Sequence, residues 1–313
     1  MIGSRIVYYM KKGLSMKFLH ISDIHFDPVN DGFATRNLRN IIGNYFREKN
    51  IVNIDEIFFT GDFRHAWRQR NCDADMVAKN AVDFLIFIAG CVGVNDLNHI
   101  HIVPGNHDLD RVGIVQKDGT RILDERILDE IYQKYDIHKG KFDYDIQAVN
   151  VSQYLKSRFS FFEKCVNLLQ NRVWGNFQNN SVHRVKQFED YSIIFVNSAI
   201  ASGNGAHKHD LIIQLDEFYS CVLDSGKKPL IILSHNPLEH IREDERVCIK
   251  NILIDNNMPV LWLSGDTHSV QYDNSFNIAN ITVGCMLKES GTDAAFYVGD
   301  ISDNFKINIS AYK

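Results

Sequence analysis

The chain of 313 residues lacks any apolar run long enough to cross a bilayer. Its longest uncharged apolar stretch, Phe84 to Val94, falls well short of the roughly 18 to 20 residues that a membrane helix needs, so no span is expected. It also lacks CxxC pairs. The six cysteines, Cys72, Cys91, Cys165, Cys221, Cys248 and Cys285, are scattered and read as buried thiols, neither a disulfide framework nor a thiolate metal site. An excess of positive charge is missing too. A net charge of -5 and a pI near 6.2 exclude the uniformly basic surface of a strong non-specific nucleic-acid binder and leave room only for a local basic patch. There is no internal repeat and no low-complexity tract. With 45% hydrophobic and 23% charged residues, disorder, collagen and a coiled-coil rod are excluded. The stretch before Met16, MIGSRIVYYMKKGLS, has a basic pair with no apolar core or cleavage site behind it, so no secretory signal is read and a cytoplasmic location is expected.

What is present is a succession of short apolar runs with helix-like stretches between them, the pattern of an α/β protein. The runs are Lys17 to Ile21, Ile57 to Thr60, His99 to Val103, Ser192 to Asn197, Pro229 to Leu233 and Pro259 to Leu263. Leu38, Ile41, Ile42, Tyr45 and Phe46 form one helical stripe, and Leu215, Phe218, Tyr219, Val222 and Leu223 another; both read as core faces. Residues 1–16 read as an N-terminal extension and 17–313 as one domain. The interval 116–189, rich in charge and aromatics, reads as a mainly helical insertion or cap over the sheet.

Polar clusters follow five of the six runs: Ser22-Asp23-Ile24-His25, Gly61-Asp62, Pro104-Gly105-Asn106-His107-Asp108, Ser234-His235 and Ser264-Gly265-Asp266-Thr267-His268. In open α/β sheets ligands bind beyond the carboxyl ends of the strands, where loops converge, so the clusters point to one shared site. Gly61, Gly105 and Gly265 suit sharp turns beneath the polar groups, a use of glycine's freedom at positive φ. The ligand inventory is Asp23, His25, Asp62, Asn106, His235, Asp266 and His268. Seven oxygen and imidazole donors exceed one ion's needs, while two divalent ions sharing a bridging carboxylate would use them all. Ligation without sulfur favours Mn²⁺, with Fe, Zn and Mg open. Any one of these motifs alone is more often an ordinary turn; the ordered set is what carries weight. His20 and His101 fall inside strands and read as core or supporting residues, and His207 and His209 as part of an exposed loop.

The ordered set D-x-H (Asp23, His25), G-D (Gly61, Asp62), G-N-H-D (Gly105 to Asp108), a lone His after a strand (His235) and G-x-x-H (Gly265 to His268) resembles the calcineurin-like metallophosphoesterases over about residues 17–290. The resemblance implies two mixed β-sheets packed face to face and flanked by helices, a four-layer α/β arrangement. It implies that Asp23, His25 and His268 hold one ion, Asn106 and His235 the second, and that Asp62 bridges them. His107 would face the substrate as general acid or stabiliser, with Asp108 orienting it. Attack on phosphorus would come from a hydroxide shared by the two ions, with no enzyme nucleophile. One position departs: the family's closing motif is G-H-x-H, and here Asp266 replaces its first His. A carboxylate still suits a hard ion. Three carboxylates against two dications leave a net +1 where the usual site keeps +2, which favours Mn²⁺ or Mg²⁺ over Zn²⁺ at the second position and leaves its occupancy open.

For the substrate, His65 gives G-D-x-x-H, which resembles the DNA-break-repair nuclease branch, whereas phosphoprotein phosphatases carry an acidic residue there. Arg64, Trp67, Arg68 and Arg70 form a basic, aromatic stretch suited to phosphates and bases. Arg64 and Arg68 are the candidate substrate contacts; a solvated loop is the bland alternative. The expected activity is a phosphodiesterase acting on a nucleotide or nucleic-acid substrate, with no membrane partner. Its rivals are a phosphomonoesterase and a non-catalytic binding scaffold of the same fold.

Overall fold

The computed structural model describes residues 5–6, 15–26, 31–65, 73–110, 114–115, 121–122, 124–146, 149–171, 173–174, 181–203, 210–275, 277–286, 295–302 and 305–312. All six apolar runs are strands. The first sheet runs β1 (Arg5–Ile6), β16 (Lys306–Tyr312), β15 (Phe296–Ser302), β2 (Met16–Ile21), β3 (Glu56–Phe59), β4 (Ile100–Ile102), with β2, β3 and β4 parallel. The second runs β13 (Gln271–Ser275), β14 (Ile278–Thr282), β12 (Val260–Ser264), β11 (Leu230–Ser234), β10 (Ser192–Val196), β9 (Arg184–Gln187), with β10, β11, β12 and β14 parallel. Short ribbons β5–β6 (Ile114–Val115, Arg121–Ile122) and β7–β8 (Asp145–Ile146, Val149–Asn150) lie outside these sheets.

Residue alternation along the second sheet fixes the layers. Ile193, Phe195, Ile231, Leu233, Leu261 and Leu263 join the large core shared with Leu19, Ile21, Ile57 and Phe59 of the first sheet. Their neighbours Ile194, Val196, Ile232 and Trp262 instead pack against helices α6 (Leu215–Asp224) and α7 (Glu243–Asn256). A strand buried on both faces reads as a continuous apolar run, which is why no polar/apolar alternation marks these segments. Each fully buried Ile, Leu or Phe contributes on the order of 1.5–3 kcal/mol, so both faces hold the sheet in place.

Helices α1 (Asp31–Glu48) and α2 (Ala74–Val92) pack on each other beside the first sheet. The longest apolar run of the sequence is the C-terminal half of α2, capped by Asp73 at one end and by left-handed Gly93 (φ 92°) at the other. That helix is apolar on more than one side because α1 and α5 (Ser160–Leu168) both cover it. Among the described residues, no helix is long and apolar enough to cross a membrane.

Three expectations take a more specific form. The helical stripes are narrower than their spacing suggests: Ile42 and Phe46 are buried in α1 while Ile41 is 63% exposed, and in α6 Tyr219 and Leu223 face solvent while Cys221 is buried. The docking angle of a helix sets how wide a face it buries, and Ile41, Tyr219 and Leu223 lie at the uncovered edge of theirs. The interval 116–189 contains α3 (Asp124–Lys134), α4 (Val151–Ser157) and α5 among its described residues, and these helices pack into the body of the domain. Ile127, Leu128, Leu155, Phe161, Phe162 and Val166 belong to the common core, and Trp174 donates its indole N–H to Ile102 O (2.6 Å). The N-terminal extension contributes β1, whose Arg5 and Ile6 pair with Asn308 and Ile307 at the sheet edge.

Candidate metal centre

The polar clusters meet because the loops after the parallel strands stay tied together beyond the sheets. Asp23 N–H donates to Gly61 O (3.0 Å), His25 N–H to Asp62 O (3.1 Å) and Phe26 N–H to Phe63 O (3.0 Å), continuing the β2–β3 ladder. The second sheet is joined to this edge by Asp266 N–H on Asp23 Oδ2 (3.2 Å) and Met286 N–H on Ser22 O (3.0 Å). Positive φ is adopted by the ligand candidates themselves: Asp23 54°, His25 47°, Asp62 60°, Asp266 66° and His268 52°. Left-handed backbone costs a non-glycine residue about 1–2 kcal/mol and persists only where the surroundings impose it, as at a functional site.

Of the three glycines, only Gly61 uses the conformational freedom expected of it (φ 97°). The other two are needed for room: a Cβ on Gly105 would lie 2.0 Å from Asp62 Oδ1, and one on Gly265 2.0 Å from Ser22 Oγ.

All seven ligand candidates are linked through their donor atoms. His25 Nε2 lies 3.0 Å from His268 Nε2, and both face Asp23 Oδ1 at 3.4 and 3.2 Å. Asp62 Oδ2 stands between the two halves of the site, 3.7 Å from His25 Nε2 and 3.4 Å from His235 Nε2. His235 Nε2 also faces Asn106 Oδ1 (2.9 Å) and Asp266 Oδ1 (3.6 Å). With Asp266 joined by that last contact, the whole set converges. Two triplets of donor atoms, Asp23-Asp62-His235 and His25-Asp62-His107, each lie within 4.8 Å of one another, and both contain Asp62.

The electrostatics suit cations. Burial pushes the Asp62 carboxyl up to about 7, against the pull of His235 and His25, with Asp23 and Asp108 adding to the rise. Burial would also raise Asp23, but hydrogen bonding from His25 and His268 and the charge on His235 hold it well below its ordinary value. Burial disfavours a proton on His235, yet the carboxylates of Asp62, Asp266 and Asp23 outweigh it and raise its pKa well above the usual histidine value. A field that draws a proton onto Nε2 also draws a metal ion there. His235 donates Nδ1–H to Thr60 O (2.7 Å), which aims Nε2 at the site. Asp23 Oδ1 is buried and faces the Nε2 atoms of both His25 and His268 at 3.4 and 3.2 Å, a convergence of donor atoms that a divalent ion would satisfy. The residues therefore fit a pair of divalent ions.

The other candidates are placed as follows. His107 Nε2 lies 4.0 Å from Asp62 Oδ2, and its ring stands edge-on to His25 (4.8 Å) and His65 (5.4 Å). His65 is 5.4 Å from His25 as well, so three imidazoles line one side of the site. Asp108 spends both oxygens on backbone: Oδ2 accepts from Gly105 N (2.9 Å) and Asp62 N (3.1 Å), Oδ1 from Phe63 N (2.9 Å). Its hold on His107 runs through the loop. Arg64 does not have the free head expected of a substrate contact. Its guanidinium donates to His107 O (3.1 Å) and Leu109 O (3.0 Å), pairs with Asp110 (2.7 Å) and lies over the Phe161 ring (4.0 Å). Planar fork geometry and an aromatic face make such a pocket the stable place for it, and its role is to tie loops together. Trp67, Arg68, Arg70, His207 and His209 lie outside the described residues. His20 is a strand residue bonded to Thr60 Oγ1 (3.0 Å), its pKa lowered to about 3 by burial, and His101 is bonded to Glu56 (2.6 Å).

Two residues escape the sequence reading. His240 Nδ1 lies 2.9 Å from Asp266 Oδ2. The signal was the departure at Asp266 itself: an anion where the motif has an imidazole needs a partner. Cys285 has its Sγ within 4.8 Å of ligand atoms of His25 and His268 and donates to Asp23 O (3.0 Å), a thiol bracing the loop; it follows β14 with no motif around it.

Comparison with known proteins gives the family and the fold. The family profile described as calcineurin-like phosphoesterase matches residues 16–270. A Bacillus subtilis (strain 168) protein named as an uncharacterized metallophosphoesterase-like protein, YydB, is 25% identical over 318 residues, covering 96% of this chain and 60% of that one. The chain thus spans about 60% of the length of that relative. Among solved structures, a dimetal phosphatase from Danio rerio aligns with a TM-score of 0.50 at 13% identity, over 95% of this chain and 99% of its own. GAP50, the anchor in the inner membrane complex of Plasmodium, aligns with a TM-score of 0.50 at 14% identity, over 94% and 83%. At such identities the two structures share the fold with this chain.

Proposed function

Because the chain belongs to the calcineurin-like phosphoesterases, a family of metal-dependent phosphoester hydrolases, we propose that it hydrolyses a phosphodiester of a nucleotide or nucleic acid at a paired metal centre. Asp23, His25 and His268 would hold one ion, Asn106, His235 and Asp266 the other, with Asp62 common to both. The observation that carries this reading is the position of Asp62 Oδ2, within 3.7 Å of His25 on one side and 3.4 Å of His235 on the other. Two divalent ions supply Lewis-acid polarisation of the phosphoryl oxygens and a water-derived nucleophile at neutral pH. Oxygen-rich ligation around Asp266 favours Mn²⁺.

The protein's own groups do the rest. His107 is partly exposed beside Asp62 and can give a proton to the leaving oxygen. His65 stands against His107 and His25 and so can orient a phosphate or its leaving group. A wall of three imidazoles brings no negative charge against an anionic substrate, and the diester reading rests on His65 standing where phosphoprotein phosphatases carry an acidic residue.

The test compares Mn²⁺-dependent hydrolysis of bis(p-nitrophenyl) phosphate and p-nitrophenyl phosphate by the full chain and by His65→Ala. The diester should be preferred, and His65→Ala should lose about 10²-fold or more on it, the scale of one general acid–base group, with metal content intact. Preference for the monoester would refute the diester assignment. A chain that cannot be loaded with metal would point to a binding scaffold.

A further inference from the structure

Asp266 occupies the one position at which the metal-binding motif departs from its usual form, and a carboxylate there raises a problem that an imidazole does not. It can turn either oxygen, or both, toward an ion. The structure shows how the choice is made. Oδ1 faces His235 Nε2 at 3.6 Å, while Oδ2 meets His240 Nδ1 at 2.9 Å. A carboxylate oxygen only accepts, so Nδ1 carries the proton of this bond.

The ring of His240 is firmly mounted. Its backbone N–H donates to Pro237 O (2.9 Å) and its carbonyl accepts from Leu211 N (2.9 Å). Leu238 and Ile241 on either side are buried against α6 and α7. The neighbouring Glu239 is held at both ends, its side chain accepting from Asn280 Nδ2 (2.9 Å) and its carbonyl from Arg246 Nη1 (3.0 Å). The turn bearing His240 leaves the same strand end as His235, so Asp266 is gripped by two histidines of one loop.

We propose that His240 is a positioning residue of the metal centre: its Nδ1–H commits Oδ2 of Asp266, so that Asp266 serves the ion held by Asn106 and His235 through Oδ1 alone. The inference rests on the paired-metal reading above and adds to it a residue that sets the occupancy and oxygen character of the second position. A ligand carboxylate so supported is fixed in orientation, and losing such support typically costs 10- to 100-fold in metal affinity.

The test uses the chelated full chain and Mn²⁺ alone, with calorimetric titration for stoichiometry and electron paramagnetic resonance for the spin-coupled signature of a paired site. The wild type should bind two ions. His240→Ala should weaken the second ion by about 10- to 100-fold, leave the first within about twofold and erase the paired signature. His240→Asn, whose amide nitrogen falls near the place of Nδ1, should restore most of the loss; His240→Gln, which reaches the place of Nε2, should not. In an Asp266→His background His240→Ala should change nothing further. Two ions bound by His240→Ala with wild-type affinity would overturn the proposal. So would equal loss in the Asp266→His background, or rescue by Gln as good as by Asn, since either makes the ring a structural prop. Fewer than two ions on the wild type would instead sink the paired-metal reading, and that shows before any variant is made.

Discussion

Asp108 offers the sharpest separation of scaffold from chemistry. Its buried carboxylate accepts three backbone N–H groups, from Gly105, Asp62 and Phe63, and so ties the loop bearing Asn106 and His107 to the loop bearing Asp62. Asp108→Asn can keep its carbonyl oxygen on Gly105 and Asp62, but the amide NH2 then meets the Phe63 N–H. One buried donor is left unsatisfied, at about 1–3 kcal/mol. Asp108→Ala strands all three, about 3–9 kcal/mol against a total of about 5–15 kcal/mol for a typical domain, and should leave the chain close to unfolding. Both effects should appear in the metal-free protein, measured by urea unfolding in the presence of chelator. If Asp108→Asn without metal unfolds within about 0.5 kcal/mol of wild type, the ordinary range for a surface substitution, yet loses activity, then Asp108 acts on His107 directly and the loop-tying account is wrong.

Gly61→Ala should cost on the order of 3 kcal/mol and abolish tight metal binding. The new Cβ sits at φ 97° and would lie 2.7 Å from Gly105 N, a backbone atom that cannot swing aside; thermal unfolding at the wild-type temperature would count against it. Glu245 lies away from the metal centre, with its oxygens taking Tyr135 OH and Ile213 N–H, and burial raises its pKa from 4.5 to about 7. Because the folded value is the higher, its protonated form stabilises the fold, fully below about pH 4.5 and progressively less as pH rises through about 7, a span worth about 3 kcal/mol. Glu245→Gln should flatten that part of the stability–pH curve, and an unchanged difference between wild type and variant across the window would refute the assignment.

The strands and the site positions were legible because one physical feature produces both signals. A strand buried on two faces must be apolar throughout, and the polar residues it cannot carry collect where it ends, so Leu19–Ile21 followed by Ser22-Asp23 or Leu261–Leu263 followed by Ser264-Gly265-Asp266 announces strand and candidate ligand together. Less legible was whatever depends on a contact between distant parts of the chain. Arg64 looks basic and free beside Asp62, but Asp110 and Phe161 claim its guanidinium. Ile41 and Tyr219 fit their helical stripes and yet face solvent, since only the docking angle decides how wide a buried face is. The interval 116–189 read as an addition because its apolar residues match no neighbour in sequence; Phe161 and Phe162 find theirs in the common core.

The turns at the site were legible only by half, and the missing half explains why these motifs use the residues they do. Glycine was expected to supply the left-handed backbone, and Gly61 does, but Asp23, His25, Asp62, Asp266 and His268 adopt it as well. Asp and His are among the side chains that enter this region most readily, and a β-branched residue there would be a strained outlier. The same residue types are the hard and borderline donors that a divalent ion takes. Selection for ligation and selection for the turn therefore coincide at one position, so the ligand turns and strand ends can form before any ion arrives. Ion binding at these residues would then have little backbone ordering left to drive, and its free energy could go to holding the carboxylates of Asp23, Asp62 and Asp266 together against their mutual repulsion.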